Sequence, residues 1–553
     1  MIQNSSAYVF DEENGIWYRP DAGEFSYSDG EKSERELLDL MKATKDKSVF
    51  SRELLRHMTS WMTTYYLSPR RSNLLRLFSE YFSGKKVLEL GCGCGAITRF
   101  LAECGAEVVA VEGSPRRAAI ARSRCEGMNN VTIYCDRILD ISFEPGSFDC
   151  VTLIGVLEYA RRFGRGVDPV QDTLVKARSM LRKGGVLFLA IENQLGLKYL
   201  SGVIEDHVGQ PFWGVNDCYR PGEVVTFPRA ELDARLARAG YGGRKLFIPL
   251  PDYKIVGAML CPSSLEASAE EFDPTLLILK NLPPDMARAG LPVFSLEQAS
   301  RVMVRGGLTA DLANSFLFVA SAEEQGVDIV DNAVLAVHYG SFCSAEYAKE
   351  VVFRRGDEGI AVQRRNLVSG TTPSGPFAQH LLDEPYVNCS ESMQDALLRA
   401  VNRPGWDEKS VAVALRPWVA WLRVHSRADE NGRRMLPAEF FDAAPHNILR
   451  SADGPIFIDK EWDNGKELEL DFVVFRNIFV ALSSITSTAV PAKGTSFQVA
   501  VLTLQAMALN GVTLASGRLD EYYSRIQELN RQVFGSSVTR EWLESFSLLG
   551  RLI

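Results

Sequence analysis

Three observations predict an α/β fold built on a parallel sheet. Short apolar runs alternate with amphipathic stretches from residue 86 to about 195; the first run, VLEL, opens directly into the glycine-rich turn GCGCG; and the next run, EVVAVE, ends in the acidic Glu112. Strands separated by helical patterns imply βαβ units, whose crossovers force neighbouring strands to run parallel. At 553 residues, 46% hydrophobic and 24% charged, the chain is a globular protein too long for a single core.

Each element follows in order. Residues 1–84 read as a helical extension, because EKSERELLDLMKATKD and SRELLRHMTSWMTTYY carry apolar residues at three and four spacing. Residues 85–325 form the α/β domain: KVLEL, EVVAVE, NVTIYC, FDCVTLIG and VLFLAIE are its strands, and GRKLFIPLPDYKIVGAML and SFLFVASA are late ones. The acidic, serine-rich CPSSLEASAEEFDP, 261–274, reads as a loop or insertion. Residues 326–490 begin with a β-meander over 330–364 and then turn helical; residues 491–553, after the PAKG break, are a helical tail. In that tail Leu519, Tyr522, Ile526, Leu529 and Val533 alternate at three and four, a pattern of helix packing or of a short coiled coil.

Several classes are excluded at this level. No apolar run reaches the ~18 residues of a membrane-spanning helix, and the start, MIQNSSAYVFDEENG, lacks the basic-then-apolar order of a secretory signal. A cytoplasmic location is expected, with peripheral contact at the inner face of the membrane as the closest approach to lipid. The net charge of -9 argues against nucleic acid as a partner. Ten scattered cysteines without paired CxxC knuckles point to reduced thiols rather than a disulfide framework or a zinc site.

The stretch from Val87 to Gly95, VLELGCGCG, is a buried strand running into Gly91, Gly93 and Gly95 and then a helix. Glycines there let the backbone turn tightly and approach a ligand with no Cβ in the way. The spacing is GxGxG rather than GxGxxG, and Glu89 lies inside the motif, which favours a ligand without a pyrophosphate. Glu112, 17 residues after Gly95, is placed to accept both hydroxyls of a ribose, a feature shared by nicotinamide dinucleotides and S-adenosylmethionine. Asp136 after the third strand suits an adenine amino group, and Gly155 closes the fourth strand.

With the glycine motif, Glu112, Asp136, the strand from Asp149 and the LRKGG turn in order, residues 85 to 195 resemble the class I S-adenosylmethionine-dependent methyltransferases. The resemblance implies a Rossmann-like, seven-stranded domain with the cofactor on Glu89, Gly91, Cys92, Gly93, Gly95, Glu112, Asp136 and Gly155. More narrowly, YLSPRR, GVLEYA, AIENQLGLKYLSG, EDHVGQPFWG and PLPDYK are similar to a methyltransferase family of bacterial O-antigen and cell-wall polysaccharide synthesis. That similarity implies a sugar or nascent polysaccharide as acceptor and glycosyltransferases of the same pathway as partners.

Methyl transfer to a sugar hydroxyl is an in-line displacement that needs the nucleophile aligned and its proton removed. Of only six histidines, His207 in EDHVG follows the fifth strand and is the candidate general base, the alternative being a loop brace. Glu192, Asn193 and Asp206 are polar candidates to orient it, and Glu158 and Tyr159 either line the pocket or begin a helix. Cys92 and Cys94 are expected to pack, since metal partners for them are missing.

Farther on, FFDAAPHNILRSADGPIFIDKEW sets Asp442 and Asn447 five apart, with Asp459 after a short strand. This resembles the protein-kinase and aminoglycoside-phosphotransferase superfamily, which implies Asp442 and Asn447 as catalytic residues and Asp459 as a magnesium ligand beside ATP. The pattern departs from that family in two places: Gln363 stands where IAVQ should carry the ATP lysine, and YGSFCSA holds one glycine, Gly340. The smaller α+β domain is thus kinase-like, either active or a degenerate binding module. Together the domains resemble bifunctional methyltransferase-kinase terminators of O-antigen chains. The leading expectation is an O-methyltransferase acting on a sugar or nascent polysaccharide; a dual methyltransferase-kinase and a noncatalytic scaffold of glycan assembly are the rivals.

Overall fold

The computed structural model describes residues 2–551 apart from 4, 22–26, 29, 283–291, 372, 374, 376, 515–516 and 536–537. The chain divides into two compact units, each made of several segments. The first comprises Met1–Leu200, Ile204–Glu266 and Thr309–Tyr339; the second comprises Ser201–Val203, Ala267–Leu308 and Gly340–Ile553.

A long twisted sheet organises the first unit. Its central strands are β3 (Lys86–Leu90), β4 (Glu107–Glu112), β5 (Val131–Cys135), β6 (Phe148–Ile154) and β7 (Leu181–Glu192), all parallel and ordered β5-β4-β3-β6-β7. The helices Ala96–Glu103, Pro115–Arg124 and Pro169–Met180 make the crossovers. These strands read as near-continuous apolar runs because both faces of a parallel sheet are covered; β6, FDCVTLI, is buried over all but one residue. Two later strands, β8 (Gly243–Leu250) and β10 (Ser315–Ser321), extend the sheet, with β10 antiparallel between β7 and β8. The unit is mixed α/β and Rossmann-like.

The sheet is longer than the seven strands expected. On one edge the hairpin of β1 (Val9–Asp11) and β2 (Ile16–Tyr18) adds parallel to β5, so the N-terminal extension is not wholly helical. On the other edge β9 (Ala258–Leu260) pairs with β8, and β11 (Val334–Gly340) pairs with β9. This moves the expected boundary: NAVLAVHYG forms its strand with the first unit, past the cut placed at 325, because Ala336, Val337 and His338 match Leu260, Met259 and Ala258 in register. The extension's helices, from Glu31–Ala43 onward, belong to this unit and pack Leu37, Met41, Leu54, Tyr66 and Leu67 around Cys94 and Ile120.

In the second unit, β12 (Lys349–Gly356) and β13 (Gly359–Asn366) form a hairpin to which Glu384–Pro385 adds. A helical layer follows, with Glu408–His425, Leu470–Ser483 and Val499–Leu509 as its main members. The stretch 261–274 is not a simple loop: Pro262–Glu266 is helical, and from Ala267 the chain belongs to this second unit. The residues from 491 onward belong to the same unit rather than forming a separate tail. Tyr522, Ile526, Leu529 and Val533 are buried, and Tyr522 packs on Phe472 and Phe475, so their alternation marks packing within the unit.

Candidate functional site: the C-terminal edge of the parallel sheet

The turn after β3 is shaped by what glycine permits. Gly91, Gly93 and Gly95 have φ of 80°, 55° and 79°, a region L-residues with a Cβ adopt at a cost of roughly 1–2 kcal/mol each. Space matters as well: a Cβ on Gly91 would lie 2.4 Å from Val156, and one on Gly95 would lie 2.8 Å from the backbone of Ala121. Glu112, at the end of β4, closes the turn, its carboxylate accepting the Gly93 amide at 2.8 Å and the Ser114 amide at 2.9 Å. The expected cofactor residues Gly91, Cys92, Gly93, Gly95 and Glu112 are therefore gathered in one cradle. Glu89 lies beneath it, fully enclosed, and accepts a hydrogen bond from Thr98 at 2.6 Å; burial pushes its carboxyl up to about 7. Cys92 packs, with burial raising its thiol well above the ordinary range.

Asp136 is differently engaged from the expectation. Its carboxylate accepts the Tyr8 hydroxyl at 2.5 Å and the Arg19 guanidinium at 2.8 Å. The edge hairpin thus uses the carboxylate assigned to an adenine amino group, and in this structure Asp136 anchors the hairpin.

Gly155 links the cradle to a second group of side chains at the ends of β6 and β7. A Cβ there would lie 2.7 Å from the Tyr253 hydroxyl, which donates to Glu192 at 3.1 Å. Glu192 ends β7 with no exposed surface, and Lys254 sits on it at 2.5 Å and on Asp206 at 2.7 Å. Lys198 pairs with Asp206 and Asp252, each at 3.2 Å, and Tyr199 donates to Asp206 at 2.6 Å. His207 lies against this network, with Nδ1 3.2 Å from the Tyr159 hydroxyl and Nε2 3.6 Å from Glu192. Asn193 turns away and donates to the carbonyls of Asp311 and Ala313.

The electrostatics qualify the expected base. Burial lowers the His207 imidazole, but Glu192 above all, with Glu158 and Glu205, outweighs it and brings the group to about 9. An imidazole in that state is protonated at neutral pH, whereas a general base must arrive unprotonated. Burial and the neighbouring Glu192 push Glu158 well above the carboxylate range, while Lys254 and His207 hold Glu192 below it against its own burial. His207, Glu192 and Glu158 thus share protons as a cluster. Sequence reasoning missed Tyr253, Lys254, Lys198 and Asp252, although PLPDYK was among its motifs: an ion-pair network of residues 54 apart in sequence has no local periodicity to betray it.

In the second unit, Asn447 donates to the Asp442 carboxylate at 3.2 Å, and its carbonyl accepts the amide of Ile458, next to Asp459. Asp442 and Asn447 are thus joined directly, and Asp459 follows a residue bonded to Asn447. Asp442 also receives Arg476 at 3.0 Å. Gln363 is exposed on β13 and is not the cation of this site. Lys280 meets Asp459 at 2.9 Å, Lys349 on β12 meets it at 3.4 Å and also pairs with Glu461, and Arg364 lies 3.7 Å away. Burial opposes the Asp459 carboxylate, yet Lys280 and Lys349 hold it well below its usual range.

A family model described as a methyltransferase domain matches residues 87–185. The demethylmenaquinone methyltransferase of Tropheryma whipplei (strain Twist) is 36% identical over 19% of this chain and 41% of its own length. The ubiquinone biosynthesis O-methyltransferase of Xanthomonas campestris pv. campestris (strain B100) is 32% identical over 22% and 48%. The chain spans about half the length of the curated relatives it matches. Among solved structures, an S-adenosylmethionine-dependent methyltransferase from Archaeoglobus fulgidus is similar over 47% of this chain and 97% of its own, at 15% identity and a TM-score of 0.29. Residues 87–185 thus resemble a methyltransferase domain. No helix among the described residues is long and apolar enough to cross a membrane.

Proposed function

We propose that the protein transfers the methyl group of S-adenosylmethionine to a hydroxyl of a sugar or nascent polysaccharide. The cofactor supplies a methyl group activated on a sulfonium. The chain's own part is to hold the nucleoside against the bare backbone of Gly91, Gly93 and Gly95, to offer Glu112 to the ribose, and to seat the acceptor beside Glu158, Glu192 and His207. The observation that carries the acceptor class is the character of the side chains gathered at the ends of β6 and β7: carboxylates, lysines, tyrosines and an imidazole pair there, which suits a hydroxyl-rich acceptor better than an apolar ring. The acceptor's proton leaves to solvent, since His207 is already protonated at neutral pH. The quinone-pathway names of the relatives give the competing acceptor class.

Calorimetric titration with S-adenosylhomocysteine tests the cofactor half. Binding is expected, and Glu112→Ala should weaken it roughly 10- to 100-fold, the range for a lost hydrogen bond to a charged group; no heat from the unsubstituted chain would overturn the reading. Incubation with labelled cofactor and either deacylated surface glycan or a hydroxylated quinone then decides the acceptor.

A second reading concerns the other unit, where Lys280, Lys349 and Arg364 face Asp459 next to Asn447 and Asp442. This arrangement supports a phosphotransferase-like unit in which the cations meet the phosphates of ATP and Asp459 and Asn447 hold magnesium. ATP with magnesium should raise the melting temperature of the unsubstituted chain and not that of Asp459→Ala; equal melts would leave the unit without a nucleotide.

A further inference from the structure

At the acceptor wall, three side chains from separate parts of the chain bring ligating atoms together. Glu158 follows β6, Glu192 ends β7 and His207 lies in the loop beyond; one atom of each falls within 4.8 Å of the other two. All three side chains are at least nine-tenths buried, with Glu158 1% and Glu192 0% exposed and the His207 side chain 9% exposed.

What distinguishes this group from an ordinary buried polar network is its unmet valence. Neither carboxylate oxygen of Glu158 finds a hydrogen-bond partner on another described residue, nor does Oε2 of Glu192 or Nε2 of His207. Buried polar atoms are almost always partnered, because each one left bare costs roughly 1–3 kcal/mol. Other atoms of the same residues are well provided for: Glu192 Oε1 takes Lys254 and Tyr253, and His207 Nδ1 takes Tyr159. Within the group His207 Nε2 comes to 3.6 Å from Glu192 Oε1, beyond hydrogen-bond distance.

Charge points the same way. Glu158, Glu192, Glu205, Asp206 and Asp252 crowd the wall, and the ammonium groups of Lys198 and Lys254 are the cations that pair with them. The lysines pair directly with Glu192 Oε1, Asp206 and Asp252, and neither makes an ion pair with Glu158 among the described residues.

We propose that Glu158, Glu192 and His207 form a binding site for a divalent metal ion at the acceptor end of the crevice. Two carboxylate oxygens and an imidazole nitrogen suit an oxygen- and nitrogen-loving ion such as Mn²⁺ rather than a thiolate-seeking one. Ligand atoms around such an ion stand roughly 2.0–2.2 Å from it, so atoms already within 4.8 Å of one another reach it by small side-chain rotations. Tyr159 on Nδ1 is the outer partner that a metal-bound imidazole ordinarily keeps. His207 is then a ligand through Nε2 and not a general base. The site leaves coordination positions open, and an acceptor hydroxyl bound there would lose its proton to solvent more readily. That role rests on the methyltransferase reading; the binding of the ion does not.

The test uses the full chain carrying Asp459→Ala, which silences the magnesium position proposed in the second unit. After chelation and dialysis it is titrated with Mn²⁺, free ion being read by electron paramagnetic resonance. One Mn²⁺ per chain is expected, with Glu158→Gln and His207→Gln each raising the dissociation constant at least ~10-fold, and S-adenosylhomocysteine titrations reporting that each variant is folded. No bound Mn²⁺, or binding that both substitutions leave unchanged, overturns the proposal. Mn²⁺ binding without S-adenosylhomocysteine binding sustains the ion site and removes the methyltransferase reading; the converse removes the ion site alone.

Discussion

Gly91 is where geometry is least forgiving. Its φ of 80° and the 2.4 Å approach of Val156 to any Cβ make Gly91→Ala costly twice over, through backbone strain and through displacement of the chain that leads to Glu158. The variant should bind S-adenosylhomocysteine at least ~10-fold more weakly by calorimetry; unchanged affinity would mean that the turn does not touch the ligand. This residue was legible in the sequence because a glycine turn after an apolar strand is a local signal. Asp136 was not. Its position after β5 was read correctly, but Tyr8 and Arg19, 128 and 117 residues away, decide what the carboxylate bonds to, and no local pattern carries such partners. Gln363 and Lys349 show the same limit: the IAVQ run gave the strand, while the cation came from the neighbouring strand of the hairpin.

Among the elements, the helix Arg518–Leu529 shows how a surface-looking segment is fixed. Arg518 and Arg525 both reach Glu469, at 3.1 and 2.9 Å, and Arg525 lies 3.6 Å over the Phe472 ring. Burial favours the protonated Glu469, but the Arg525 hydrogen bond and the other contacts outweigh it and hold the group at about 2. A carboxyl depressed on folding stabilises the folded state above its unfolded value, near 4.5, and loses that contribution as pH falls toward 2. Glu469→Gln should thus lower stability by about 1–2 kcal/mol at neutral pH, after allowance for solvent screening, and the gap in urea midpoints should close on acidification between about pH 4.5 and pH 2. A gap independent of pH would assign the effect to packing. The alternation of apolar residues along this helix was visible in sequence; the surface it meets was not, since helical periodicity gives a face and never its partner.

For the whole molecule, the parallel sheet from β3 to β7 could be read in full because each strand-helix pair repeats a local rhythm. The division into units could not. A boundary at 325 supposes that domains follow one another along the chain, yet the first unit resumes at Thr309 and runs to Tyr339, while Ala267–Leu308, with Lys280 in it, belongs to the second. Nothing in composition marks such an interleaving.

The strand β10 illustrates what this order demands of a nascent polypeptide. It fills the slot between β7 and β8, yet it leaves the ribosome after both, with 42 residues of the other unit synthesised immediately before the segment that contains it. Until then the two strands that will flank it have edges with no mate, the kind of surface that invites association between chains. Expression of a piece ending short of Ser315 is therefore expected to yield aggregates rather than a half-sized soluble protein.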